Sequence, residues 1–184
     1  MSSSESSSGS DQYKYGEWEQ GKKCCNKIYY QKVIKITLAS CRLTNSSLHK
    51  ISQLCKCFTK GQDLSHDFIE AQIECKNPDC QNKEERKFYY TIEYGSDGRN
   101  MEVGQYKNKL KEINIYNPSY GLTVTTLKTI YDNSSKYFEA KDYKLLDHNC
   151  KVYAKNFYDN IVKLEEELDD AGEYSWFVAA AYGI

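Results

Sequence analysis

The chain has 184 residues, 40% of them hydrophobic, which suits one domain with a sizeable core and leaves too little for a second. Lys and Arg number 25 against 26 Asp and Glu, so no general electrostatic pull toward nucleic acid or an anionic membrane is built in. No apolar run reaches membrane-spanning length, and none follows the N-terminus as a secretory signal would require; a cytoplasmic protein without a stable membrane span is expected.

The first residues, MSSSESSSGSDQ, are polar and of low complexity. Such a stretch cannot bury enough surface to offset its ordering entropy, so residues 1–20 are expected to be a disordered tail and 21–184 a single domain. Ile28 to Leu38 reads as a first strand. Thr44 or Asn45 then opens a helical pattern through Leu48, Ile51, Leu54 and Phe58, ended by Gly61, with His49 on its polar side.

His66 to Cys75 and Lys87 to Gly95 read as two strands of an antiparallel hairpin, joined by the polar KNPDCQNKEER segment. Ser96-Asp97-Gly98 is a turn, and Met101 to Tyr106 returns beside it as a short strand. Lys109 to Tyr116 is rich enough in β-branched residues to be another strand, broken by Asn117-Pro118. A helix capped at Thr123 follows, with Val124, Leu127, Ile130 and Tyr131 on one face.

The stretch YKLLDHNCKVYAKNFYDNI leads into the last helix. Counting from Cys150, apolar residues recur at Ala154, Phe157, Tyr158, Ile161, Leu164 and Leu168, the spacing of an amphipathic helix. Cys150 therefore sits in the first turn on the buried face, with Asp147 or Asn149 placed to cap the exposed amides. The positive end of the helix dipole favours a thiolate there. A buried structural cysteine can occupy the same place. The final YSWFVAAAYGI is too short to span a bilayer and reads as a tail docked on the core.

The element order is α+β, with an antiparallel sheet packed on helices. Seventeen tyrosines, some paired as Tyr29-Tyr30 and Tyr89-Tyr90, fit half-buried strand positions. The eight cysteines read mostly as free thiols in a reducing compartment. No cofactor and no metal are assigned. Zinc held by Cys55-x-Cys57 and Cys75-x4-Cys80 stays as an alternative to ordinary thiols.

Three segments together, SHDFIEAQIE, YYTIEYGSDG and YKLLDHNCKVYAKNF, resemble the circularly permuted papain-like proteins. That group includes the PPPDE or DeSI-type isopeptidases and the lecithin retinol acyltransferase-like and NlpC-like enzymes. The resemblance covers roughly residues 30 to 165 in layout. It implies a His at the start of a sheet strand, then Asn-Cys at a helix N-terminus with an aromatic three residues on: His66, Asn149, Cys150 and Tyr153 here. The acyltransferase branch carries an acidic residue and a His directly after Asn-Cys, where this chain has Lys151 and Val152. It also carries a second His on the neighbouring strand, and Tyr89 to Tyr94 contains none.

The chemistry this implies is thiol-dependent hydrolysis of an amide, isopeptide or ester bond. Cys150 is the nucleophile and His66 the general base, acting on a protein or acylated substrate. Peptidase or isopeptidase activity is the first form and acyl transfer the second. Glu93, Thr91 and Tyr90 are candidates to orient the imidazole, Glu93 because a carboxylate stabilises imidazolium. Glu93 and Thr91 share a strand face and Tyr90 takes the other. The Cys150 N–H, at a helix start capped by Asn149 or Asp147, is the expected oxyanion donor. His148 reads as a cap or surface residue. The alternative is an inactive scaffold of the same fold serving as a protein-interaction domain, possibly zinc-stabilised.

Overall fold

A computed structural model describes residues 17–42, 65–81, 83–119, 121–144 and 148–170. The helix expected from residue 44 to 61 with His49, the docked tail and Asp147 lie outside the described residues. So do Cys55 and Cys57.

Among the described residues six strands form one sheet: β1 Trp18–Gln20, β2 Gln31–Arg42, β3 Ser65–Cys75, β4 Lys87–Gly95, β5 Gly98–Tyr106 and β6 Lys109–Tyr116. Their order across the sheet is β1-β5-β4-β3-β2-β6, and every neighbouring pair is antiparallel. Two helices follow in sequence, α1 Val124–Asn133 and α2 Cys150–Asp170. The protein is thus mixed α+β, and among the described residues no helix is long and apolar enough to cross a membrane.

The strands begin where turn chemistry allows, with two differences from the sequence pattern. Ile28–Tyr30 forms a single 3-10 turn and β2 starts only at Gln31. Trp18–Gln20, inside the stretch that composition assigns to a tail, pairs with the end of β5. The Trp18 ring meets Tyr106 edge-on at 5.2 Å, so one aromatic contact orders a segment whose surroundings are polar.

The i, i+3 spacing of Val33 and Ile36 does not suit a regular strand, where residues three apart face opposite sides. A bulge between Val33 and Lys35 resolves this: Val33 pairs with Ile73 and Ile36 with Ala71. Both then face the main core. One extra residue keeps the apolar set of β2 on the buried side.

One sheet face carries Ile69, Ala71, Ile73, Ile92 and Tyr94, packed against Leu127 of α1 and the Tyr153, Phe157 and Ile161 stripe of α2. All of these are almost completely buried. At about 1.5–3 kcal/mol per large apolar side chain, this layer supplies most of the reason for α2 to lie along the sheet. Two polar ties fix its ends. Glu165 accepts the Ser119 N–H at 2.9 Å. At the other end, the Asn149 side chain caps the helix start, accepting from Lys151 N at 3.0 Å and Val152 N at 3.3 Å.

Arg99, on the β4–β5 hairpin, closes the far end of α1. Its guanidinium donates to the Tyr131 carbonyl, to Ser134 Oγ at 3.0 Å and to the Phe138 carbonyl at 3.1 Å. It also lies 4.5 Å above the Tyr131 ring. One of the last carbonyls of α1, that of Tyr131, is thus met by a cation suited to that end of the dipole.

The opposite sheet face is smaller and is covered by the chain itself. β5 pairs with β4 only from Gly98 to Val103 and then leaves that ladder to pair with β1. Gly104, at the departure point, has its carbonyl over β4, where it accepts the Thr91 hydroxyl at 2.9 Å. A methyl group at Gly104 would sit 2.6 Å from the Glu19 carbonyl oxygen and closer still to the Trp18 ring, so only glycine fits. The turn brings Tyr106 back over Phe68, with ring centroids 4.8 Å apart, enclosing Ala39 and Cys41.

Candidate functional site

Strand parity decides which side chains can meet His66. On β3, His66, Phe68 and Glu70 share a face. The pairing of Glu70 with Thr91 and of Ile69 with Ile92 puts Thr91 and Glu93 on that face and Tyr90 on the other. The choice that alternation alone left open is thereby made. β3 is an interior strand, so His66 lies at the strand's end and not at a lateral sheet edge.

His66 is 1% exposed. Its Nε2–H donates to Glu93 Oε2 at 2.8 Å, and its ring stacks on Phe68 at 6.3 Å. Cys150 acts on the imidazole as well: the two groups shift each other, His66 upward and Cys150 downward. With Nε2 on the carboxylate, Nδ1 is the nitrogen left for the thiol. The Asp67 backbone also favours the ionised form of the same sulfur. A sulfur at a helix start, an imidazole and a carboxylate are thus linked, brought together from α2, β3 and β4.

The charges follow from these contacts. Burial alone would lower the His66 pKa, but its bonds to Cys150 and Glu93 and their negative charges raise it from 6.5 to about 9. Burial pushes the Cys150 thiol up, and the His66 hydrogen bond and charge, with the Asp67 backbone, bring it below the ordinary thiol value. Glu93 is likewise pushed up by burial and held below the usual carboxylate range by His66, Tyr106 and Asn100. These shifts run toward a thiolate beside an imidazolium, with a carboxylate behind it.

Cys41 stands directly across from His66 on β2, fully buried. Burial, followed by the negative charges of Glu93, Cys150 and Asp67, drives its pKa up to about 12. The two cysteines are therefore shifted in opposite directions, Cys150 down and Cys41 up.

The residues expected from sequence are placed as follows. His66, Glu93 and Cys150 converge, Asn149 is the helix cap, and Tyr153 is buried in the aromatic layer beneath the site. His148 is half-exposed at the surface and does not cap α2, a role Asn149 takes. Its ring stacks on Phe138 at 4.6 Å and its Nε2 bonds the Tyr137 carbonyl at 2.7 Å, which commits it to packing. Tyr106 went unforeseen; its hydroxyl donates to Glu93 Oε2 at 2.9 Å. Asp67 and Asn100 were also missed, and only the fold of β5 and the approach of α2 to β3 reveal them.

Cys55 and Cys57 of the expected cysteine cluster lie outside the described residues; among the described ones a four-sulfur group forms. Cys75 and Cys80 do meet, and the sulfurs beside them belong to Cys24 and Cys25. A groove of about 690 Å³ between α1 and α2 is lined by Tyr137, His148, Val152 and Phe157 among others, and none of His66, Glu93 or Cys150 lines it. Comparison of the chain with protein-family models, curated proteins and solved structures gives no match.

Proposed function

We propose that this is a thiol hydrolase of permuted papain-like type, with Cys150 as nucleophile, His66 as acid and base, and Glu93 as the residue that orients and charges the imidazole. The observation that carries the reading is the 2.8 Å bond of the buried His66 ring to Glu93, with Cys150 at the start of α2 electrostatically linked to the same ring. Ring stacking on Phe68 and burial of His66 hold the imidazole in one orientation, as such a relay needs. The order of His on a strand, then Asn-Cys at a helix start, supports the same assignment.

In the proposed reaction the Cys150 thiolate attacks the carbonyl carbon of an amide or isopeptide. As the C–S bond forms, negative charge moves to the carbonyl oxygen, where the Cys150 N–H donates. The Asn149 side chain occupies the Lys151 and Val152 amides and so keeps this first amide apart from the cap. Imidazolium Nδ1–H protonates the leaving amine as the C–N bond breaks, giving a thioester. Water then attacks, His66 takes its proton, and the carboxylic acid leaves with the thiolate restored. An ester reacts in the same way with an alcohol as leaving group. Hydrolysis is preferred over acyl transfer because Lys151 and Val152 stand where the acyltransferase branch has an acidic residue and a His.

The test is acyl-enzyme capture. The full chain is mixed with small activated peptide amides, isopeptide-linked lysine derivatives and esters, then quenched in acid for intact-mass and peptide analysis. Acylation at Cys150, absent in Cys150→Ala, is the expected result. Failure of every substrate to acylate Cys150 or turn over, in protein whose Cys150 still reacts with a small alkylating reagent, rejects the hydrolase reading.

A further inference from the structure

We infer that Cys24, Cys25, Cys75 and Cys80 form a closed, structural zinc site. This lies outside the proposed hydrolytic reaction. Cys75 is at the opposite end of β3 from His66, about 30 Å away at the rise of a strand.

The geometry is that of four ligands around one ion. All four sulfurs lie within 4.8 Å of one another. Cys25 Sγ is 3.7 Å from Cys75 Sγ, and Cys75 Sγ is 3.9 Å from Cys80 Sγ. A tetrahedron with Zn–S bonds of about 2.3 Å has an edge of about 3.8 Å. A disulfide would need about 2.05 Å. A soft, tetrahedral, all-thiolate set with no open position suits zinc in a structural role.

The chain is shaped to deliver these sulfurs. Adjacent residues in a strand point to opposite faces, so a Cys-Cys pair could not serve one ion there. Cys24 and Cys25 instead lie in a bend before β2. Gln31, fully buried, holds that bend by donating to the Cys25 carbonyl at 3.0 Å. Cys75 ends β3, and the loop carrying Cys80 is held by Lys76 N–H on the Tyr30 carbonyl at 2.8 Å. Arg86 donates to the Cys80 carbonyl at 2.8 Å.

A tetrathiolate zinc centre carries excess negative charge, which N–H donors to sulfur spread and stabilise. Asn77 is 2% exposed and its Nδ2 donates to Cys25 Sγ at 3.5 Å, while its Oδ1 is fixed by the Asp79 N–H at 3.2 Å. Bound zinc would pin the segment between β1 and β2 to the turn end of the β3–β4 hairpin.

The full chain, expressed with added zinc and purified under reducing conditions without chelator, is analysed for metal. It is then alkylated under native conditions and mapped by mass spectrometry before and after chelation. One zinc per chain is expected, with Cys24, Cys25, Cys75 and Cys80 protected until the metal is removed. Cobalt added to the stripped protein should give the absorption of a tetrahedral tetrathiolate. Less than about a tenth of an equivalent of zinc would overturn the inference. So would iron in its place, a disulfide among the four, or protection that falls on Cys55 and Cys57. Because metal content and protection are read on the unaltered chain, the result does not depend on a cysteine variant folding. Since Cys150 acylation is read separately, loss of either result leaves the other standing.

Discussion

His66 and Glu93 are joined across two strands, Nε2 to Oε2 at 2.8 Å, although Glu93 is not His66's direct ladder partner; the residue opposite Glu93 by the β3–β4 register is Phe68. The diagonal contact puts a carboxylate behind the imidazole and tilts the ring over Phe68. Replacing Glu93 by Gln keeps the shape and removes the charge. The His66 pKa should fall from about 9 toward its ordinary 6.5. Once the Cys150 pKa has risen above the working pH, the thiolate fraction drops about tenfold for each further unit. The check is the pH profile of Cys150 alkylation in both proteins.

The same groups fix the pH dependence of turnover. The ion pair exists between the depressed Cys150 value and the loss of the His66 proton near 9. A bell-shaped profile with an alkaline limb near 9 is expected, its two apparent values belonging to the coupled pair. Glu93→Gln should move that limb to lower pH. For stability the Glu93 sign is the usual carboxylate one. Its folded pKa is depressed, so its contribution is present above the unfolded value and is lost as pH falls through the folded one. Thermal unfolding of Glu93→Gln should therefore lose less stability on acidification than the wild-type chain does.

Tyr106 acts through Glu93. Tyr106→Phe removes the hydroxyl that donates to Glu93 Oε2 and keeps the ring against Phe68 and Trp18. Stability should fall by about 1 kcal/mol, the typical worth of one such bond. Glu93, with one donor fewer, should titrate higher. A Tyr106→Phe chain whose alkylation profile matches wild type within error would remove Tyr106 from the site.

Gly104 is where β5 turns over the sheet. Gly104→Ala places a methyl against the Glu19 carbonyl and the Trp18 ring, and either β1 detaches or the turn opens. A loss of about 1–3 kcal/mol, the range of overpacking, is expected in urea unfolding. The alkylation rate of Cys150 should change with it, because Tyr106 follows two residues later.

Arg99 offers a test remote from the sulfur. Arg99→Ala leaves three carbonyl and hydroxyl acceptors at the end of α1 without their cation. A loss of about 2 kcal/mol is expected by thermal or urea unfolding, with Cys150 reactivity nearly unchanged.

Much of the molecule was legible in the sequence, and the reasons differ by element. β4 and β6 were readable to the residue because β-branched and aromatic runs end at turn residues. α2 was readable from its stripe, and Cys150 at its start from the switch of period. The pairing of His66 with Cys150 was expected from their positions at a strand start and a helix start, their order, and the family resemblance together. Glu93 was reachable by alternation, but the face was not, since parity says which residues agree and not which side they take. Tyr106 was invisible because its position depends on β5 abandoning β4 after Val103, a turn set by the fit of Gly104 against Trp18. The bulge in β2 and the bend at Cys24-Cys25 escaped for the same reason: both are irregularities fixed by partners distant in sequence.

The central claim is that Cys150 is a thiolate because His66 is beside it. The direct measurement is the rate of iodoacetamide alkylation of each cysteine against pH, read by peptide mass spectrometry, in the wild-type chain and in His66→Ala. The account predicts that Cys150 reacts selectively at pH 6, that Cys41, with its pKa near 12, stays unlabelled, and that His66→Ala returns Cys150 to an ordinary thiol profile. Equal, slow labelling of Cys150 and the other thiols at pH 6, unchanged in His66→Ala, would contradict it.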